Sequence, residues 1–253
     1  MGRKLTTEDP VAAYDRIAPD FTRLSERRKA YFDGIDQILI SEISPGKHSL
    51  LDVGAGDGTR AWRIAQARKL ETLVLLEPSA AMRSHWPVAA QVWDMRAEEL
   101  CRQQAEFDVI TCLWNVLGHI FPSDSRAEVL RQFARLLAPD GRVFIDLNHR
   151  YNARHYGILP TALRFVRDIV LPGERNGDVV TTWDLGETRC ATRGHVFTHK
   201  EFYSLSRSAG LTIEKRFVVD YATGARHRWS VNGNLFYVLR RTPSIRADSG
   251  KLR

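Results

Sequence analysis

The sequence predicts an α/β fold in which helices cover both faces of a mostly parallel, doubly wound sheet. Short apolar runs, such as residues 49–53 and 72–76, have the length and composition of strands buried on both faces. Helical patterns separate these runs, as at residues 60–69, and this alternation is typical of βαβ units. Three glycines follow the first run, where a strand turns into a helix. We expect seven strands, mostly parallel, with an antiparallel edge strand.

The length and composition indicate one soluble domain. A chain of 253 residues has room for an α/β unit with an insertion, and 43% hydrophobic residues supply one core. No run of about eighteen apolar residues is present, and Met1–Lys4 lead into polar residues, so neither a membrane span nor secretion is indicated. Cys101, Cys112 and Cys190 are widely spaced, which argues against a disulfide framework and favours the reducing cytoplasm.

The net charge of +7 admits nucleic acid or an acidic substrate as a partner. Much of the excess lies toward the termini, at residues 3–4, 27–29 and 240–253. No basic stretch interleaves with stacking aromatic residues in the manner of an RNA-binding module. The distribution therefore favours a solvated surface over a nucleic-acid interface.

The N-terminal segment, residues 1–45, is predicted to be helical. Residues 11–43 repeat apolar side chains at helical spacing, which predicts two helices ahead of the first strand. The two apolar stripes consist of Tyr14, Ile17, Phe21 and Leu24, and of Tyr31, Ile35, Ile38 and Leu39.

The glycine-rich loop at residues 54–58 has the composition of a cofactor cradle. Gly54, Gly56 and Gly58 lack a Cβ, so they tolerate positive φ and let a ligand approach the backbone closely. The dinucleotide fingerprint G-x-G-x-x-G/A requires glycine or alanine where this chain has Thr59, which weakens a nicotinamide interpretation. A strand-to-helix turn that binds no ligand is the alternative.

The charge of the loop favours a cationic ligand. Asp52 and Asp57 bracket the loop and would repel a pyrophosphate at the helix N-terminus. Residues 52–58 match (D/E)-x-G-x-G-x-G position by position, and here the sequence resembles the class I S-adenosylmethionine-dependent methyltransferases. That resemblance implies a Rossmann-like fold. It also implies S-adenosyl-L-methionine, a sulfonium without phosphate, as methyl donor and S-adenosyl-L-homocysteine as product.

The resemblance assigns a set of cofactor contacts to the first part of the chain. In the loop and after it they are Asp52, Gly54, Ala55, Gly56, Gly58 and Met82. Tyr14 joins them because it lies in a Y-D-x-x-A segment that resembles a lid over the cofactor. A helical aromatic stripe is equally typical of plain core.

A carboxylate closes the second strand. Glu77 ends the apolar run at residues 72–76, and Pro78 after it favours an extended conformation. In a βαβ unit of this spacing, such a carboxylate accepts hydrogen bonds from both ribose hydroxyls. Glu77 and Pro78 are therefore assigned to the cofactor. The alternative for Glu77 is a surface residue that caps the next helix.

The resemblance to the family extends to the third and fourth strands. The third strand, residues 90–93, precedes Asp94 and Met95, which by the resemblance bind the adenine amino group and pack on its ring. Glu98 is a competing position. The fourth strand, residues 107–113, leads into Trp114 and Asn115, which resemble the family's fourth motif beside the methyl group.

The fifth strand completes four motifs in the family's order. A helix at residues 125–137 ends at proline and glycine, and residues 143–148 form the strand after it. The resemblance therefore covers a cofactor-binding core at residues 46–148. Cys112 lies inside the fourth strand and is predicted to be core.

The chain then departs from regular alternation. Residues 149–197 are predicted to be an acceptor-binding insertion, with helical character at 156–171 and a hairpin formed by 179–184 and 188–196. A capping box at Thr198 and Glu201 begins the C-terminal segment, residues 198–242, which holds a helix and two edge strands. The single domain thus covers residues 1–242, and the polar tail at 243–253 is predicted to be disordered.

Two histidines are candidates for a general base. The carboxyl ends of the fourth and fifth strands face the ligand crevice, which brings His119 and His149 near it. Histidine titrates near neutrality, and a base is required only when the acceptor holds a proton at neutral pH. His119 is the first choice, and a structural hydrogen-bonding role is its alternative.

The acceptor is predicted to bind after the fifth strand. Asn148, Arg150 and Tyr151 combine amide, guanidinium and aromatic groups, which suits an anionic or aromatic small molecule. A solvated hinge into the insertion is the alternative. The sequence shows no metal-ligand spacing, so no metal is expected.

The function predicted is methyl transfer from S-adenosylmethionine to an O or N atom of a small molecule, by a monomer or homodimer. An RNA methyltransferase is an alternative, because residues 14–21 also resemble wobble-uridine enzymes and the net charge is positive. A non-catalytic partner subunit that keeps the cofactor pocket is another.

Overall fold

A computed structural model describes residues 7–84, 86, 90–185 and 189–243. Parts of three predicted segments lie outside the described residues. They are 1–6 of the N-terminal segment, 186–188 of the hairpin turn and 244–253 of the tail.

Three helices, rather than the predicted two, precede the sheet. They are α1 (Pro10–Ile17), α2 (Phe21–Glu26) and α3 (Lys29–Glu42). The Asp9 side chain caps α1 by accepting a hydrogen bond from the amide of Val11. A short 3₁₀ turn, Ala18–Asp20, then separates α1 from α2, with Pro19 at its start. Because proline cannot donate to the preceding turn, the first predicted helix divides there.

The main sheet contains the predicted seven strands and a short eighth. Its strands are β1 (Ser49–Val53), β2 (Thr72–Leu76), β3 (Gln91–Trp93), β4 (Phe107–Cys112), β5 (Leu137–Leu147), β8 (Leu211–Val219), β9 (Arg226–His227) and β10 (Asn234–Arg241). The order is β3-β2-β1-β4-β5-β10-β8-β9. The first five are parallel, β10 runs antiparallel to β5 and β8, and the two residues of β9 pair with β8.

Helices connect these strands and cover both faces of the sheet. After β1, β2 and β4 come α4 (Thr59–Arg68), α5 (Ala80–Arg83) and α6 (Ser123–Leu136), and α9 (His199–Ser208) precedes β8. Alternate residues of β1 enter opposite cores, so Leu51 packs with α6 whereas Leu50 packs with α3 and α4. The strand order reverses between β1 and β4, which opens a crevice at their carboxyl ends.

The insertion after β5 forms a layer of its own. It comprises α7 (Ala153–Tyr156), α8 (Ile158–Val170), β6 (Asp178–Asp184) and β7 (Arg189–His195), and the two strands pair as the predicted hairpin. The capping box of Thr198 and Glu201 is confirmed at the start of α9. Within the described ranges, no helix has the length and apolar character needed to cross a membrane.

Candidate active site

A divided crevice lies at the carboxyl ends of β1, β2 and β4. One cavity lies between α1 and the loop after β2, and a second lies between α2 and α4. Both are lined by Gly54, Gly56, Phe21, Leu113 and Trp114. Because the two cavities share these walls, together they suit one extended small ligand.

The glycine loop has the backbone that the sequence predicts. Gly54, Gly56 and Gly58 have φ values of 74°, 57° and 70°, which L side chains rarely adopt. A Cβ on Gly54 would also lie 2.5 Å from a Val116 methyl group. The amide of Gly54 donates to the carbonyl of Leu76 at 2.8 Å, which ties the loop to β2.

Glu77 is held at the wall of the first cavity by the backbone. Its two carboxylate oxygens accept hydrogen bonds from the amides of Gly56, at 3.0 Å, and Ser79, at 2.9 Å. The residue is only 8% exposed, and this burial raises the pKa of the carboxyl to about 7, with the two amides opposing the rise. Ser79, not Glu77, caps α5, because its hydroxyl accepts from the amide of Met82.

Asp52 is the buried carboxylate of the second cavity. Thr111 donates its hydroxyl to Asp52 at 2.6 Å, and Arg60 adds a favourable charge. Desolvation nevertheless raises the pKa of Asp52 to about 6. Glu77 thus lines the first cavity and Asp52 the second, and the glycine loop contributes to the walls of both.

The helix α1 forms one wall of the first cavity. Tyr14 lines it and meets the His119 ring edge-on, with 5.9 Å between ring centroids. Asp15 fixes the helix to α5 by accepting from the Ser79 hydroxyl at 2.6 Å and from the amide of Ala81. Phe21, which the sequence placed only in a core stripe with Tyr14, also lines both cavities.

The structure does not bring Asp94 and Met95 to either cavity. Asp94 is largely exposed and pairs with Arg83 at 2.7 Å, while Met95 packs against the core. The competing position, Glu98, lines the first cavity together with Arg96 and Ala97. The 3₁₀ turn Ala97–Arg102 after β3 points this later stretch into the crevice.

Of the other residues that the sequence assigns to the cofactor, two line the cavities and two pack behind the cavity walls. Pro78 lines the first cavity and Ala55 the second. Met82 is fully buried in the cluster beneath α1, and Gly58 packs beside Leu75 and Trp86, so both support the crevice from outside its walls.

Trp114 and Asn115 follow β4 in an unusual backbone conformation. Their φ values are 54° and 61°. The Trp114 ring lines both cavities, whereas the Asn115 amide group bonds inside the protein. Its nitrogen donates to the carbonyl of His195 at 3.1 Å, and its oxygen accepts from the amide of Asn148 at 3.0 Å.

The two candidate histidines occupy different environments. His119 lines the first cavity, and its Nδ1 donates to the carbonyl of Arg193 at 3.0 Å, which leaves the Nε2 lone pair for a proton. His149 is buried away from both cavities, where its Nδ1 donates to the carbonyl of Ser230 at 2.9 Å. Burial lowers the pKa of both rings, that of His149 to about 4.

The predicted acceptor residues bond within the protein rather than line the crevice. Arg150 pairs with Asp168 at 2.9 Å and with Glu201 at 2.7 Å. Tyr151 donates its hydroxyl to Asp168 at 2.6 Å. The Asn148 side chain accepts from the amide group of Asn234 at 2.9 Å. This stretch therefore joins the insertion to the core.

Sequence reasoning missed Trp183, on β6, as a neighbour of the crevice. Its ring centroid lies 5.7 Å from that of Trp114 and 6.2 Å from that of Tyr14. The described residues offer no hydrogen-bond partner to its buried Nε1–H. No signal near Trp183 in the sequence locates it, because the hairpin reaches the site through tertiary packing. In the described part of the chain, no group of three His, Cys, Asp or Glu is placed to hold a metal ion.

Comparison with known sequences finds methyltransferases. The family described as a methyltransferase domain matches residues 23–216. A curated relative, the ubiquinone biosynthesis O-methyltransferase of Aeromonas salmonicida, is 32% identical over 130 residues, which make up 49% of this chain and 52% of the relative. The chain thus spans about half the length of that curated relative.

Solved structures share the fold. An S-adenosylmethionine-dependent methyltransferase of Clostridium acetobutylicum matches with a TM-score of 0.63 and 15% identity, covering 91% of this chain and 99% of that chain. A sugar N-methyltransferase of Streptoalloteichus matches with a TM-score of 0.60 and 16% identity, covering 96% and 98%. At these identities the likeness concerns the fold alone.

Proposed function

The chain belongs to the class I S-adenosylmethionine-dependent methyltransferases, and from this premise we propose that it methylates an O or N atom of an aromatic small molecule. Family membership makes it an enzyme that uses S-adenosylmethionine. The acceptor and the residues that serve it are the subject of the proposal.

One observation carries the cofactor side of the proposal, namely Glu77 on the cavity wall. Two backbone amides orient its carboxylate, so the side chain needs no reorganisation to accept the ribose hydroxyls. The positive φ of Gly54 and Gly56 gives the ligand access to backbone that any larger residue would cover. Asp52 supplies negative charge to the second cavity, beside the ammonium end of the ligand.

The walls around Trp114 support an aromatic acceptor. Tyr14 and Trp114 both line the first cavity and both pack against Trp183, and aromatic walls of this kind hold planar molecules by ring contacts. An anionic acceptor has less support, because Arg150 is already paired with two carboxylates. The Aeromonas salmonicida relative is named for O-methylation in ubiquinone biosynthesis, which supports oxygen as the methylated atom.

When bound, the cofactor supplies an electrophilic methyl group on a sulfonium. His119 is the residue proposed to serve the acceptor, because it lines the first cavity and the carbonyl of Arg193 fixes its Nδ1–H, which leaves Nε2 as the proton acceptor. A hydroxyl acceptor would lose its proton to Nε2 as the new C–O bond forms. An amine that is already neutral would need no base, and Tyr14 and Trp114 would then act by positioning alone.

A panel assay tests the acceptor class. Purified protein is incubated with labelled S-adenosylmethionine and with phenols and catechols, aromatic amines, aliphatic acids or tRNA, and methylated products are counted. The proposal predicts turnover with phenolic or aromatic amine acceptors that Glu77→Ala abolishes and Glu71→Ala, an exposed matched control, preserves. Turnover restricted to tRNA, or no turnover despite tight cofactor binding, would reject the small-molecule assignment.

A further inference from the structure

The helix α8 turns its apolar side away from the protein. Seven apolar side chains of this helix are between 52% and 83% exposed. They are Ile158, Leu159, Leu163, Phe165, Val166, Ile169 and Val170, and we call them the α8 apolar face. A helix packed on a globular core normally buries such a stripe, so the usual orientation is reversed here.

Polar contacts hold α8 in this orientation. Thr161 is its buried residue, and the Arg164 guanidinium lies 4.1 Å from the centre of the Tyr156 ring. Asp168 accepts from both Arg150 and Tyr151, at 2.9 and 2.6 Å. Rolling the apolar face inward would break these bonds and take away one of the two carboxylates that pair with the buried Arg150. The exposed face is therefore a fixed feature of the fold.

A second apolar group lies against the same part of the insertion. Trp229 is 66% exposed and Val231 is 44% exposed, in a turn that contacts α7 directly ahead of α8. The Arg228 guanidinium stands 5.6 Å from the Trp229 ring centre. An exposed tryptophan beside arginine is typical of side chains that sit at a membrane–water interface.

The charges around α8 indicate what covers it. Between residues 153 and 175 the basic side chains are Arg154, Arg164, Arg167 and Arg175, and the acidic ones are Asp168 and Glu174. Two of these charges are already paired, Asp168 with Arg150 at 2.9 Å and Arg154 with Asp220 at 2.7 Å. Arg164 and Arg175 form no ion pair in the described part of the chain, so the surroundings of the apolar face keep a small positive excess, which favours an anionic partner.

We propose that the α8 apolar face docks on an anionic lipid surface. A helix of 13 residues is about 20 Å long, too short to span a bilayer, so it lies along the surface with its apolar side chains among the acyl chains. Arginines at its edge then meet lipid phosphates. This docking is independent of the acceptor proposed above.

A second copy of the chain fits the face less well. Asp168, the single carboxylate between residues 157 and 171, is turned toward Arg150. Pairing two such helices would bury apolar area but would bring arginines together without counter-charges. An anionic headgroup layer satisfies both the apolar and the charged requirement.

Vesicle sedimentation tests the proposal with the full chain. We expect binding to vesicles of phosphatidylcholine mixed with phosphatidylglycerol, weaker binding to phosphatidylcholine alone, and loss of binding as salt is raised. The double variant Leu163→Ser/Val166→Ser should weaken binding about a hundredfold, about tenfold per side chain. Val92→Ser, an exposed valine on β3 outside the insertion, is the matched control and should bind as the parent does.

Three controls keep the outcomes distinct. Circular dichroism and S-adenosylmethionine binding should be unchanged in the double variant, because these side chains are exposed and line neither cavity. Arg175→Gln should reduce binding to the anionic vesicles and leave binding to neutral ones unchanged. Equal vesicle binding by parent and double variant, or no binding by either, would overturn the proposal. A dimer that the double variant dissociates, without vesicle binding, would assign the face to a second copy instead.

Discussion

Two polar stretches that follow strands of the same sheet have different roles in this protein. After β1 and β2, the glycine loop and Glu77 line the crevice, and the carboxylate is oriented by the amides of Gly56 and Ser79. After β5, Arg150 and Tyr151 turn inward and bond to Asp168. Both stretches combine charge with a turn, yet the first is available to a ligand and the second is part of the protein's own framework.

The difference lies in which atoms satisfy each charge. Backbone amides hold Glu77 in place without neutralising it, and burial then raises its pKa to about 7. Two carboxylates neutralise Arg150, so it has no charge left to offer an anionic acceptor. A charged residue near a crevice is therefore a binding candidate only when its partners leave its charge uncompensated.

The largest effect is expected on stability, when the ion pairs of the stretch after β5 are removed. Arg150→Ala removes the partner of Asp168 and Glu201 and leaves two carboxylates in a partly buried cluster, which should lower the free energy of unfolding by about 3–5 kcal/mol. Urea unfolding measures this. The affinity for S-adenosylmethionine should be unchanged in the folded protein, and a selective loss of acceptor binding at full stability would show that Arg150 serves the substrate.

Variants of the two candidate histidines test the difference between residues that line the crevice and residues that bond only within the protein. His119→Ala should lower turnover about a hundredfold for an acceptor that must lose a proton, with cofactor affinity retained. His149→Ala should instead lower stability and leave the turnover of the folded protein unchanged, because His149 lines neither cavity. Steady-state kinetics on both variants decide this, and unaltered turnover in His119→Ala would make His119 structural.

A smaller effect is expected from pH. The carboxyl pKa of Glu77 is raised from 4.5 to about 7 by burial, so in the cofactor-free protein its contribution to stability is present below about 4.5 and is lost as the pH rises through about 7. Hydrogen bonds from ribose hydroxyls favour the ionised form. Cofactor affinity should therefore be about tenfold lower at pH 6 than at pH 8.

Calorimetry at several pH values measures this dependence, and the cofactor-induced shift in melting temperature should grow over the same range. Asp52, with a pKa raised to about 6, adds to the effect at the lower end. Glu77→Gln should flatten the profile above pH 6. A profile that stays equally steep in this variant would contradict the role given to Glu77.

Much of the fold could be predicted because its signals are local. Strand β2 is a continuous apolar run. The glycines after β1 indicate a backbone with positive φ, because they lack a Cβ. The capping box at Thr198 and Glu201 spans only three residues. The short β9 was missed because two residues carry no periodic pattern.

The rest of the site depends on residues that are distant in the chain. Asp94 pairs with Arg83 and does not line the crevice, and the Asn115 side-chain amide donates to the carbonyl of His195 across the fold. Periodicity in α8 indicates an apolar side, but only the contacts of Thr161, Arg164 and Asp168 show that this side faces solvent. Contacts between residues that are distant in the chain produce no pattern in the local sequence.

The most direct test of the account is the affinity of Glu77→Ala for S-adenosylmethionine. Isothermal titration calorimetry should show a loss of about a hundredfold, because the variant removes a charged acceptor and leaves two buried amides unpaired. Glu71→Ala, at an exposed position, should bind as the parent does. An unchanged affinity in a folded Glu77→Ala protein would contradict the assignment of this crevice to the cofactor.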